Sequence, residues 1–175
     1  MDYRLVLLLS AFFINGVHGW LLYSHKNNRK WSISEHAVLD KKSYYLYVAG
    51  HLLGGAFWLV FAKIYFVDTV HLNWLFALSI WVVGFEYLQA LLPAKGKTNK
   101  LHTIAALIMW GSFITAGLLS IAFLPAGIYQ KYLASVLYAC LFSVLIYASS
   151  HRQKIYKYQM IMVLLFQASI FVLVS

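Results

Sequence analysis

The sequence is short of most things a soluble domain is built from. A single cysteine, Cys140, excludes any intrachain disulfide and any multi-cysteine zinc site. Charged residues are only 11% of the 175, against about a quarter in soluble domains. No H-E-x-x-H occurs and no two histidines stand four apart, so a zinc-protease site has no local support. No connection is long enough to form a second domain, and no internal repeat is evident. These shortages exclude a soluble globular protein and a disulfide- or zinc-stapled one.

What is abundant is apolar. Hydrophobic residues make up 62% of the chain and aromatics 18%, with a mean hydropathy of +0.73. A spanning helix needs about 20 mostly apolar residues. Six segments meet or nearly meet that length: 3–23, 44–66, 71–92, 101–124, 130–149 and 159–175. The expected fold is all-α, a six-transmembrane-helix polytopic bundle forming a single membrane domain over residues 1–175.

The net charge of +9 has a topological explanation. Lys26, Arg29, Lys30, Lys41, Lys42, Lys95, Lys97, Lys100, Arg152, Lys154 and Lys157 all fall in the first, third and fifth connections. Only Arg4, Lys63 and Lys131 fall on the other side. The positive-inside rule therefore places loops 24–43, 93–100 and 150–158 in the cytoplasm and both termini outside a cell membrane. Basic loops of this kind meet anionic lipid headgroups, and no nucleic-acid partner is expected. Residues 1–19 also read as a signal peptide, with VHG at 17–19 as its cleavage site. Cleavage would put the first basic loop outside, against the charge pattern of the remaining chain.

The polar residues inside the spans are not spread evenly. His18, His51, Glu86, Gln89, Ser143 and Gln167 each lie a few residues in from the cytoplasmic end of a helix. At about 1.5 Å of rise per residue they share a layer roughly 7–12 Å below that surface. His102 stands at the mouth of the fourth helix, just above it. In the outer half, Lys63, Asp68, His71 and Asn73 gather at the boundary instead. Ionisable groups at membrane depth normally face the bundle interior and find partners. Asn15 and His18 share one helix face, as do Glu86 and Gln89 on theirs. His102 continues through Ala105, Ala106, Met109 and Ala116, a stripe suited to close helix contact.

The stretch AGHLLGG at 49–55 sets glycines around His51. Gly50 and Gly54 form a G-x-x-x-G pair that admits a neighbouring backbone, and Gly16 and Gly19 bracket His18 at matching depth. The glycines provide either helix packing or room for a flat ligand. For His18 and His51 one reading is an interhelical hydrogen bond. Another is ligation of a haem b iron, or of a divalent metal by a set drawn from His18, His51, Glu86 and His102. Alone in the bilayer, Glu86 would stay neutral, hydrogen-bonded to Gln89 or a tyrosine. Beside a protonated histidine it would ionise, and the pair could pass a proton.

In the first connection, Ser32-Ile33-Ser34-Glu35 has capping-box spacing and predicts a short helix from 33 to about 42. Trp31, Ile33, Ala37 and Val38 would then lie on the membrane. His36 and Asp40 would share a face, either solvated or as a lid over the polar layer.

ISE at Ile33–Glu35 after the first helix, a glycine-containing second helix, and LHTIAA at Leu101–Ala106 opening the fourth resemble a known group. It comprises the six-helix membrane families around the damage-regulated autophagy modulators and related bacterial domains of unknown function. The resemblance covers the layout of the whole chain, implies a six-helix bundle, and brings no established chemistry. Those families are drawn with cytoplasmic termini, the opposite of the orientation read from charge here.

The functional expectation is a non-enzymatic one. A cytoplasm-facing crevice lined by Asn15, His18, His51, Glu86, Gln89, His102 and Gln167 binds a small ligand, ion or proton for transport or sensing. Two alternatives stand beside it. One is a haem b redox protein using two of the three histidines. The other is a metal-dependent membrane lipid hydrolase with Glu86 or Asp40 as base.

Overall fold

The computed structural model describes residues 2–26, 32–151 and 155–175. Arg29, Lys30 and Trp31 of the first connection, and Arg152 and Lys154 of the last, lie outside the described residues. Among the described residues every regular element is helical, and six helices are long and apolar enough to cross a membrane.

Polar caps decide where the helices start. The Asp2 carboxylate accepts the Arg4 N–H at 2.8 Å and opens α1 (Tyr3–Ser24). Ser32 and Glu35 cap α2 (Ile33–Ala37) reciprocally. The Ser32 N–H donates to Glu35 Oε2 at 2.8 Å, and the Glu35 N–H donates to Ser32 Oγ at 3.3 Å. This helix stops at Ala37 rather than near 42, because Asp40 caps the next one. Its carboxylate accepts the Ser43 N–H at 2.9 Å, so α3 (Lys41–Ala62) begins three residues before the expected 44.

At its far end α3 widens into a π-type turn, Lys63–Thr69, closed by the Val70 N–H on the Tyr65 carbonyl at 3.0 Å. His71, at φ 59°, reverses the chain into α4 (Asn73–Leu91). Gly96, at φ +60°, occupies the left-handed region in the short turn before α5 (Asn99–Phe123). The bundle closes with α6 (Ile128–Ser150) and α7 (Ile155–Val174), the latter starting ahead of the expected 159.

Close packing of the first two long helices is built on small residues, which let their backbones approach. A Cβ on Gly50 would stand 2.3 Å from Val17 Cγ2, and one on Gly54 2.5 Å from Ile14 Cγ1. The G-x-x-x-G pair is therefore where α1 lies against α3. Gly16 and Gly19 do not take part, contrary to expectation. Both are exposed, and a Cβ on either would meet nothing. At about 100° per residue they sit roughly 160° and 100° around α1 from the buried His18. Sharing its depth does not give them its face.

Buried apolar side chains form two clusters. The larger, away from the lysine-bearing connections, includes Leu7, Trp58, Phe61, Val83, Leu141 and Phe166. The smaller, at the other end, comprises Leu21, Ile33, Ala37, Tyr47, Ala90 and Tyr156. Ile33 and Ala37 thus pack inside the protein, not on lipid as expected, because the short α2 folds back over the helix ends. The polar residues lie between the two clusters.

Candidate functional site

Each of three of the long apolar helices contributes one ionisable side chain to a continuous chain of hydrogen bonds. His18 on α1 and His51 on α3 are both 5% exposed, and Glu86 on α4 is 3% exposed, so all three are sealed from bulk solvent. His51 Nδ1 lies 2.9 Å from Glu86 Oε1, and His51 Nε2 lies 3.1 Å from His18 Nε2. The close approach at Gly50 and Gly54 brings α1 near enough for that second contact. Tyr47, one turn before His51, sets its ring 4.4 Å from the His51 ring and 6.4 Å from that of His18. The Gln89 amide donates to the Tyr47 hydroxyl, tying α4 to α3 a second time.

The chain ends at His18 Nδ1, a buried atom without a hydrogen-bond partner. Its role follows from the protonation of Glu86. With Glu86 ionised, His51 donates from Nδ1 and must accept at Nε2; His18 then donates from Nε2 and leaves Nδ1 as a bare acceptor. With Glu86 protonated and donating, each bond reverses and His18 Nδ1 carries the hydrogen. A neutral set of rings therefore reports the state of Glu86 at His18, two helices away.

His18, His51, Glu86, Gln89, His102 and Gln167 all line one cavity of about 100 Å³. Its wall carries a single carboxylate and, among the described residues, no lysine or arginine. One end is polar; the other is apolar and aromatic, floored by Trp58, Phe113 and Phe166, whose rings lie 4.8–6.4 Å apart. The Trp58 Nε1 is also buried without a partner. At the polar end Ser34 of α2 and Gln159 of α7 meet the wall, and the Ile33 N–H donates to Gln159 Oε1 at 3.0 Å. The short capped helix thus closes the end of the cavity nearest the basic connections.

The other expected residues fall as follows. His102 Nδ1 lies 2.9 Å from the Gln89 carbonyl and 2.8 Å from that of Leu92, which orients its ring at the end of α4. Asn15 is not on the cavity wall; its amide donates to Gln167 Oε1 at 2.6 Å and bridges α1 to α7. Ser143 does not belong to the polar layer: it is exposed, its hydroxyl donating to the Ala139 carbonyl. His36 and Asp40 do not form a lid together. His36 is buried, with Nδ1 on the Ser32 carbonyl at 2.8 Å. Asp40 accepts from Ser43 Oγ at 2.6 Å and lies 3.3 Å from His25 Nε2. Those hydrogen bonds from Ser43 hold the Asp40 carboxyl below the ordinary carboxylate range.

Metal ligation has little geometric support. Among the described residues no group of three histidine, cysteine or acidic side chains is disposed to hold a metal ion. A metal–imidazole bond runs about 2.0–2.1 Å, so two axial imidazoles on opposite faces of a haem iron need nitrogens about 4 Å apart. The His18 and His51 nitrogens are bonded directly to each other at 3.1 Å instead. As placed, the pair does not bracket a haem iron.

Tyr47, Trp58 and Gln159 were missed by sequence reasoning. Tyr47 had a signal, its i−4 spacing from His51. Trp58 and Gln159 read as an ordinary apolar and an ordinary interfacial residue. No known protein family, curated protein or solved structure matches this chain.

Proposed function

We propose that this protein is a non-enzymatic multi-pass membrane protein of the transport or sensing type. Its intramembrane cavity binds a small ligand and exchanges a proton with it. One observation carries the reading: the chain from Glu86 through His51 to His18 ends on a partnerless ring nitrogen of a cavity-lining residue. An unsatisfied buried polar atom costs about 1–3 kcal/mol, so a partner supplied from the cavity would stabilise this end; Asn15 Oδ1 and His36 Nε2 are also buried without partners, but neither residue lines the cavity. Here the open end belongs to the group whose donor or acceptor character is set by Glu86.

The cavity reading is tested by filling the space. The purified chain in nanodiscs is extracted and its co-purifying small molecules are compared by mass spectrometry with those of A106F, a cavity-wall substitution. A species retained by the wild type and absent from a folded A106F supports the reading. Identical extracts from both, with no small molecule bound, oppose it.

The cavity's polar end belongs to the side bearing the basic connections, which the positive-inside rule assigns to the cytoplasm of a cell membrane. In a C140A background, a cysteine replacing Lys97 should resist a membrane-impermeant maleimide added to intact cells, and one replacing Lys63 should react. The reverse pattern would invert the topology.

A further inference from the structure

The chemistry of the wall narrows the ligand, if the proposed binding function holds. The groups able to change charge on the wall are His18 of α1, Tyr47 and His51 of α3, Glu86 of α4 and His102 of α5; α7 contributes amides and apolar side chains there. Only Glu86 among them becomes anionic without deprotonating a buried phenol, and among the described residues no lysine or arginine lines the cavity it faces. With the His51 and His18 rings neutral, an ionised Glu86 is therefore a buried charge with no cation opposite it among the described residues. Such a charge is strongly disfavoured until a cation joins it.

The hydrogen-bond roles point the same way. With Glu86 ionised, His18 is left with an unpartnered lone pair at Nδ1, a fully buried atom that the ring must tilt to present to the cavity. With its Nδ1 hydrogen directed at the Gln89 and Leu92 carbonyls, a neutral His102 likewise offers a lone pair at Nε2. The polar end thus presents acceptors and one negative charge. Below it stand Trp58, Trp110, Phe113 and Phe166, ring faces that attract both flat apolar bodies and cations.

We infer that the cavity selects an aromatic or otherwise flat apolar amine, bound as its ammonium with the nitrogen at His18 and the body among the tryptophans and phenylalanines. The proton balance is closed within the chain. The starting state of the exchange has Glu86 as the neutral acid donating to His51 Nδ1, His51 Nε2–H donating to His18 Nε2, and the His18 hydrogen on Nδ1. A neutral amine arriving from the bilayer takes the His18 Nδ1 proton. The His51 Nε2 proton passes to His18 Nε2, and the Glu86 proton passes to His51 Nδ1. The products are an ammonium, two neutral imidazoles and a Glu86 carboxylate. If the amine is supplied already protonated, the same end state releases one proton to solution.

The test compares 2-phenylethylamine with its neutral near-isostere 2-phenylethanol. Both are titrated calorimetrically into the full chain in nanodiscs, with empty nanodiscs subtracted. The wild type should bind the amine roughly ten-fold or more tightly than the alcohol. Repeating the titration in buffers of different ionisation heat should show a proton released with the amine and none with the alcohol, a readout that requires no variant. E86Q should abolish the preference, its fold being checked independently by helical circular dichroism and its unfolding transition. Equal affinity for the two probes, or a preference unchanged in a folded E86Q, would overturn the amine inference and leave the cavity reading standing. Binding of neither probe to a folded wild-type chain would overturn both.

Discussion

Glu86 and His51 stand on adjacent helices with 2.9 Å between carboxylate and ring nitrogen, and both are sealed from solvent. Among the described residues neither forms another ion pair. The pair is in consequence coupled, and each residue sets the hydrogen-bonding role of the other.

Breaking that pair should cost stability in a way that a double substitution restores. H51L leaves Glu86 without its partner, and E86L does the same to His51. Each should destabilise the bundle by about 1–2 kcal/mol, the range for interhelical hydrogen bonds in membranes. The figure is below the 3–5 kcal/mol of a broken soluble ion pair because a lone glutamic acid can stay protonated. H51L/E86L together should cost less than the sum of the singles, measured by reversible unfolding in mixed micelles. Strict additivity would show that the two side chains act independently.

The glycines of α1 and α3 should behave oppositely. G54V forces a side chain into Ile14, where even a Cβ stands 2.5 Å away, and should cost about 1–3 kcal/mol. G16A meets nothing and removes backbone freedom, so it should be neutral or stabilising by about 0.5–1 kcal/mol. The same unfolding assay ranks them. A destabilising G16A with a neutral G54V would reverse the assignment of the packing face.

Asp40 gives a pH dependence outside the spans. Its carboxyl titrates below the ordinary value because Ser43 donates to it from both hydroxyl and backbone. The sign follows from linkage: a depressed folded value stabilises above the unfolded value of about 3.9, and that contribution fades as pH falls through the folded one. Protection of the first-turn amides of α3, measured against their intrinsic exchange rates, should therefore fall on acidification below about pH 4. In D40A that protection should be lower already at neutral pH and flat across the titration. A first turn equally protected in D40A would remove Asp40 as its cap.

Much of this architecture can be read from the chain because the bilayer imposes one dominant rule. Six apolar stretches of sufficient length correspond to the six candidate spans, and the depths of His18, His51 and Glu86 follow from counting residues to the helix ends. Depth, however, is not direction. Gly16, Gly19 and Ser143 sit at the right level and point elsewhere, because rotation about a helix axis is set by packing that hydropathy barely records. Sidedness of a nearly uniform apolar helix is legible only where a polar pair at i,i+3 marks it, as Glu86 and Gln89 do. The short α2 was visible in its capping box but not in its length. Its stop depends on Asp40 capping the next helix, a competition between two starts that spacing alone does not decide. Trp58 illustrates the remaining gap: an apolar residue in an apolar span becomes distinctive only once its partnerless Nε1 is found at a cavity wall.

The central claim, that Glu86, His51 and His18 form one switchable chain, is tested most directly by solid-state NMR of ring-labelled histidines in lipid, with Glu86 followed through its carboxyl carbon. His18 should exchange its hydrogen between Nδ1 and Nε2 over the same pH interval in which Glu86 titrates, both rings staying neutral, and the exchange should vanish in E86L. A His18 whose ring nitrogens keep one fixed tautomer while Glu86 changes state, or whose titration is unaltered in E86L, would contradict it.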